Sequence, residues 1–154
     1  MNKLANISYG STAAIVTSMA LIVGLGSLKN SRASLIAALL VIAITDNITD
    51  SFSIHIYQES TSETKSTKTI AITNYVARLI VASSFILIAI ILHSNLCKVI
   101  AVIWGMTLLI SLSYLIVRKR NTNVGREIMS HILLALVVIV VSQLLGSLIN
   151  KASF

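Results

Sequence analysis

Leu35-Ile36-Ala37-Ala38-Leu39-Leu40-Val41-Ile42-Ala43-Ile44 runs without a break into Thr45-Asp46-Asn47-Ile48-Thr49-Asp50-Ser51-Phe52-Ser53-Ile54-His55-Ile56-Tyr57-Gln58-Glu59. The first half reads as a helix in lipid. The second half puts carboxylates into the same helix at membrane depth. An ionised Asp at the centre of a membrane helix costs roughly 2.5–3.5 kcal/mol on insertion scales. Such a residue is tolerated where it faces a bundle interior or a water-filled path. The chain has five acidic residues in all, and Asp46, Asp50, Glu59 and Glu63 fall in or just beyond this stretch.

The rest of the chain has the same apolar character. Of 154 residues, 56% are hydrophobic and none is proline, and the mean hydropathy is +0.91. Soluble domains hold about 45–50% apolar residues. A bilayer core about 30 Å thick needs about 20 apolar residues per helix, and five runs qualify: 8–25, 35–57, 70–92, 96–117 and 128–149. They are long and unbroken, whereas barrel strands alternate over about ten residues. The expectation is an all-α integral membrane protein, a single five-helix transmembrane domain over 1–154 with short connections.

The net charge of +7 raises the question of nucleic acid. The basic residues sit mostly between spans, where membrane proteins keep them, so no nucleic-acid partner is expected. Lys3, Lys65, Lys68, Arg78, Arg118, Lys119, Arg120 and Arg126 fall on one side of a five-span arrangement, and Lys29, Arg32, Lys98 and Lys151 on the other. The positive-inside rule then puts the N-terminus in the cytoplasm and the C-terminus on the opposite side. Arg118-Lys119-Arg120 reads as a topology anchor, with contact to anionic membrane lipid as the rival. Cys97 is the single cysteine, so no internal disulfide forms. Lys3 and the apolar run to Gly24-Leu25-Gly26-Ser27 resemble a signal peptide, but Ser8-Tyr9-Gly10-Ser11-Thr12 and the absence of a small-residue cleavage site favour a retained helix.

Two helices carry polar patterns. In the first, Gly10/Ala14 and Ala20/Gly24 are small-xxx-small pairs that allow close approach, and they suggest a homodimer formed through this helix. Ser8, Ser11, Thr12, Ser18 and Met19 share one face of it. These hydroxyls either bond their own i−4 carbonyls or form a polar stripe. In the second, Asp46, Asp50, Ser53 and Tyr57 follow i, i+4, i+7, i+11 spacing, with Asn47 at the edge. His55 and Glu59 pair on the opposite face. Asp46 lies about 16 Å along this helix, near the midplane, and Met19 reaches a similar depth. The remaining polar groups draw bland readings: Gln143 as an interhelical hydrogen bond, His93 and His131 as residues near helix ends.

Two carboxylates one turn apart in low dielectric do not both stay ionised cheaply. Two roles fit: binding a divalent cation, or holding a proton and exchanging it for that cation. Asp46, Asp50, Asn47 and Ser53 offer hard oxygen ligands, and Met19 offers one thioether that favours softer transition metals. Glu59 and Glu63 extend the set toward the cytoplasm. A polar cluster that only joins helices, in a non-transporting membrane assembly protein, is the alternative. A Mg-dependent lipid-modifying enzyme would need a second acidic motif, and the remaining carboxylate is Glu127 alone. There is no nucleophile–base pair and no phosphate-binding loop, so no enzyme activity is expected.

The chain resembles the vacuolar iron transporter family. Tyr9-Gly10-Ser11-Thr12-Ala13-Ala14-Ile15-Val16-Thr17-Ser18-Met19-Ala20-Leu21-Ile22-Val23-Gly24 is similar to that family's first-helix signature, a glycine followed by N-D-G, an apolar run and another glycine. Thr45-Asp46-Asn47-Ile48-Thr49-Asp50 resembles its second-helix A-D-x-x-S-M pattern, and Tyr57-Gln58-Glu59-Ser60 its exit from the membrane. The family's first-helix aspartate falls on Ala13 and its second-helix methionine on Asp50, while Asp46 matches an acidic position. The glutamate-rich cytoplasmic insertion is reduced to Glu59 and Glu63. The resemblance implies a homodimer that moves Fe²⁺ or Mn²⁺ out of the cytoplasm in exchange for protons, with no permanently bound cofactor. Asp50 would then supply the carboxylate that Ala13 lacks, and Met19 the thioether.

Overall fold

The computed structural model describes residues 3–28, 32–60, 67–120 and 124–152. They form α1 (Lys3–Leu25), α2 (Arg32–Val41), a π turn (Ile42–Asp46), α3 (Asn47–Ser60), α4 (Thr67–Ile91), α5 (Ser94–Arg120) and α6 (Val124–Ala152), with no strand among the described residues. α2, the π turn and α3 are one continuous rod, so the apolar runs become five rods and the chain is all-α. Arg32–Tyr57, Lys68–Ile91, Asn95–Leu115 and Gly125–Ala152 are long and apolar enough to cross a membrane, and the apolar part of α1, Gly10–Leu25, is shorter. Ile80, Leu87, Leu133, Val137 and Leu144 stand exposed on the outside. In water so much apolar surface would drive association. In lipid it is the solvated face, as suits a multi-pass membrane protein.

α1 is the axis of the bundle. It packs against α2, α4, α5 and α6, and no described side chain between Gly10 and Leu25 is exposed. Ile15, Met19 and Ile22 meet Leu39, Phe85, Leu109 and Ala135 in one core. Water gives no drive for helices to meet inside lipid, so close van der Waals approach does the joining. Small residues permit it at three points. A Cβ on Gly10 would overlap the Asn74 side chain of α4, one on Gly105 would overlap the Met19 sulfur, and one on Gly146 would overlap the Gly24 carbonyl.

These contacts change the reading of the small pairs on α1. They were expected to join two copies of the chain. Instead Gly10 receives α4, Ala14 is buried, and Gly24 lies against Ser142 and Gly146 of α6. A helix at the centre of a bundle needs small residues on several sides, and α1 uses its own within one chain.

The π turn decides which face of the second rod turns inward. Leu35, Leu39, Ala43, Asn47 and Ser51 are all buried, at a constant spacing of four. In an unbroken α-helix a spacing of four drifts by about 40° at each step. The wider π turn takes in an extra residue and offsets much of that drift. The Asn47 amide bonds to the Ile42 and Ile44 carbonyls, not to Ala43, its α-helical partner. The Asn47 side chain restores that bond, donating Nδ2 to the Ala43 carbonyl at 2.7 Å.

The close contact of α1 with α6 is open to test. Gly146→Val sets a branched side chain against the Gly24 backbone and is expected to destabilise the fold by about 1–3 kcal/mol. Thermal unfolding in nanodiscs reads this as a lowered midpoint, while Leu148→Val, on the exposed face, should leave it nearly unchanged.

Candidate functional site

Arg78 stands at the centre of the polar cluster. Its position eight residues beyond Ile70 places it about 12 Å inside the apolar part of α4, and its side chain is only 2% exposed. Nε donates to Asn47 Oδ1 at 2.7 Å, and Nη2 donates to Asp46 Oδ2 at 2.9 Å. Nη1 faces Asp50 Oδ2 as an ion pair, off the line of a hydrogen bond. One guanidinium therefore binds three polar groups within about one turn of the rod beside it. Its planar fork of five donors suits that task better than an ammonium would.

Arg78, inside the 70–92 run, was counted with the basic residues at one side of the membrane. That assignment is corrected: it lies within α4 and is buried in the bundle. By chain position the remaining basic residues still favour the same end, with Lys3, Lys68, Arg118 and Arg126 beside the start of α1. An arginine inside an apolar span is a functional candidate in its own right. The signal was present in the sequence, as was Asn74 one turn before it.

Asp46 and Asp50 sit at the flank of the buried face, with side chains 46% and 41% exposed. Asn47 and Ser51 form the inward edge. Around Arg78 the buried polar inventory is incomplete. Neither Asn74 Nδ2 nor Asn74 Oδ1 has a hydrogen-bond partner among the described residues, and Ser51 Oγ has none either. Asn74 is fully buried, and its amide and the Arg78 stem both press on α1 at Gly10. An unpartnered buried amide costs about 1–3 kcal/mol, so its place beside a charge cluster calls for a functional account.

The other expected ligands lie apart from this cluster. Met19 is fully buried in the apolar core with its sulfur against Gly105. Arg78 touches α1 at Gly10, and Met19 is nine residues further along, about 13 Å. Ser53 is exposed and donates to the Thr49 carbonyl at 2.9 Å. Glu59 pairs with His55 Nδ1 at 3.4 Å, about 20 Å along the rod from Asp46. Glu63 lies outside the described residues. Among the described residues no three His, Cys, Asp or Glu side chains come together as a metal cage. Of the expected set, the structure brings together Asp46, Asp50 and Asn47, and adds Arg78.

Two other polar groups take the bland readings. Gln143 Oε1 of α6 accepts at 3.1 Å from Ser27 Oγ, just past the end of α1. His131 Nδ1 meets Ser113 Oγ at 2.8 Å. No protein family matches the chain, and neither a curated protein nor a solved structure does.

Removing one member of such a cluster leaves charges at depth with no partner. Arg78→Leu is expected to destabilise the protein by about 3–5 kcal/mol. Adding Asp46→Asn and Asp50→Asn removes both orphaned charges and should recover most of the loss in nanodisc unfolding. No recovery in the triple variant would mean that Arg78 matters for its shape and not for its charge.

Proposed function

We propose that the chain moves cations across the membrane in exchange for protons, with Asp46 and Asp50 as the exchanging carboxylates and Arg78 as their internal counter-charge. One observation carries this reading: two half-exposed carboxylates share a single buried guanidinium. Taken as ionised, the three groups leave one negative charge in excess at membrane depth. A proton neutralises it; a divalent cation on the pair cancels both carboxylates and leaves the guanidinium charge uncompensated. Binding a divalent cation at the pair would release the proton and free Arg78 from its partners. Asn74 Oδ1, buried and unpartnered one turn away on α4, offers the guanidinium an acceptor in that state.

The cargo in this reading is Fe²⁺ or Mn²⁺, as the family resemblance implies, with oxygen ligands from Asp46, Asp50 and Asn47. Glu59 stands nearer the N-terminal end of the bundle and serves capture, not the central site. The greater basic charge at that end supports a cytoplasmic N-terminus, with the C-terminus opposite. A homodimer fits if the second copy covers the α3 face, where Asp46 and Asp50 are half-exposed. The competing reading is a membrane assembly protein whose cluster only joins α3 to α4. It is favoured by the guanidinium's engagement with Asp46, Asn47 and Asp50 together.

Proteoliposome uptake of Fe²⁺ and Mn²⁺ with an internal pH dye separates the two. Wild type is expected to carry metal with opposite proton movement. Asp46→Asn and Asp50→Asn should each lose most of the flux, and His55→Ala should keep it. Protons compete with metal for the carboxylates, so metal binding should strengthen as pH rises. Metal flux and proton movement equal to wild type in both Asn variants would sink the site assignment. A wild-type protein that carries neither ion would leave the assembly reading standing.

A further inference from the structure

At the opposite end of the bundle from the Arg78 cluster, a cavity of about 400 Å³ opens between the last turns of α1 and α4 and the first turns of α2 and α5. We propose that this cavity binds a phosphate group, and that its source is an anionic membrane lipid. Its polar lining is Arg32, His93 and Lys98, and its apolar lining includes Ile22, Leu35 and Leu92. The volume falls within the range of small-molecule sites, roughly 300–1,000 Å³.

The charge around it is one-sided. The chain's five acidic side chains are Asp46, Asp50 and Glu59 on the far part of the second rod, Glu63 in the connection that follows it, and Glu127 in the first turn of α6. By chain position none belongs to this end. Among the described residues, Arg32 and Lys98 therefore have no carboxylate side chain to pair with. Arg32 Nη1 meets His93 Nε2 at 2.9 Å, and its Nη2 donates to the Ile90 carbonyl. Lys98 Nζ makes a long contact of 3.4 Å with Ser27 Oγ, which leaves its ammonium underused.

Helix ends add to the field. α2 and α5 both begin at the cavity, and a helix start presents free amides and partial positive charge. At the opposing helix ends several carbonyls are already taken. The Ile22, Gly24 and Leu25 carbonyls accept from the amides of Gly26, Ser27 and Leu28, and Arg32 covers the end of α4. The net preference is for an anion.

Depth and lining select the source. Arg32 opens the apolar span Arg32–Tyr57, and Lys98 lies in the first turn of Asn95–Leu115. That is the level at which lipid phosphates sit. Arg32 and His93 are exposed, so the site opens outward, while Ile22, Leu35 and Leu92 offer apolar wall beside the phosphate. A soluble phosphate compound would use the same cations and ignore that wall.

Native mass spectrometry of the full chain tests this, with phosphatidylglycerol compared against phosphatidylcholine of the same acyl chains, and with soluble glycerol phosphate as a third arm. Wild type is expected to retain phosphatidylglycerol selectively and to gain thermal stability from it. Lys98→Gln should weaken retention about fivefold, the worth of one basic residue toward an anionic lipid. Lys98→Arg should restore it, and Lys151→Gln, in the last turn of α6, should leave it unchanged. Arg32→Gln should also weaken it; if that variant does not fold because Arg32 holds the end of α4, Lys98→Gln still decides the matter. Equal retention of phosphatidylglycerol in wild type and Lys98→Gln overturns the proposal. Stabilisation by glycerol phosphate as strong as by the lipid overturns the lipid assignment in favour of a soluble phosphate compound.

Discussion

A single buried guanidinium holds two carboxylates and an amide at membrane depth, and much of the bundle is arranged around that demand. Arg78 needs a neighbour that presents oxygen atoms over one turn, which the rod carrying Asp46, Asn47 and Asp50 does. That rod presents this register to Arg78 through the π turn that ends at Asp46. The turn keeps Leu35, Leu39, Ala43, Asn47 and Ser51 facing inward. On the other side, the stem of Arg78 fits against α1 only where Gly10 has no side chain. A lone charge in hydrocarbon has few stable arrangements, so the helices beside it have little freedom of register.

The same arrangement sets the chemistry. A bare pair of carboxylates would invite a divalent ion directly. A pair already joined to a guanidinium holds less net charge, and any incoming cation must compete with Arg78 for the same oxygen atoms. In the proposed function the cluster would work as an exchange, in which proton, metal and guanidinium share a limited number of acceptors. Asn74 is the one buried amide beside it with both polar atoms unpartnered among the described residues. It would give that exchange somewhere to move. Half-exposure of both aspartates keeps the site within reach of water or of a covering partner.

The two ends of the bundle have opposite characters. Toward the start of α1 lie all the described carboxylates, each near a basic group or a helix start. Toward the start of α2 lie Arg32, Lys98 and Lys151 without a carboxylate side chain among them. Electrostatics in the low-dielectric interior and at the interface are long-ranged enough for this separation to matter. The proposed cation site belongs to one end and the proposed phosphate site to the other, although both are built on the same helices.

What the sequence determined by itself was the set of elements. Helix number, the all-α class and the membrane surface follow from apolar run length, because a bilayer core must be crossed by segments that satisfy their own backbone. The importance of Asp46, Asp50 and Asn47 was legible for the same reason: polar atoms in such a run need a partner. The partner was not legible. Arg78 and Asn74 are 28 or more residues beyond Asp46 in the chain, and their meeting depends on how α3 and α4 lie in register. Met19 shows the converse. Equal depth on separate helices suggested a shared site, yet its sulfur lies on Gly105 in the apolar core. The π turn leaves no periodic signature, so the inward stripe fell one residue from the expected one. The small residues of α1 promised close approach without saying to what. Local sequence sets what a segment can be; which side chains touch is set by the packing of helices against one another, and that was decided only in the tertiary structure.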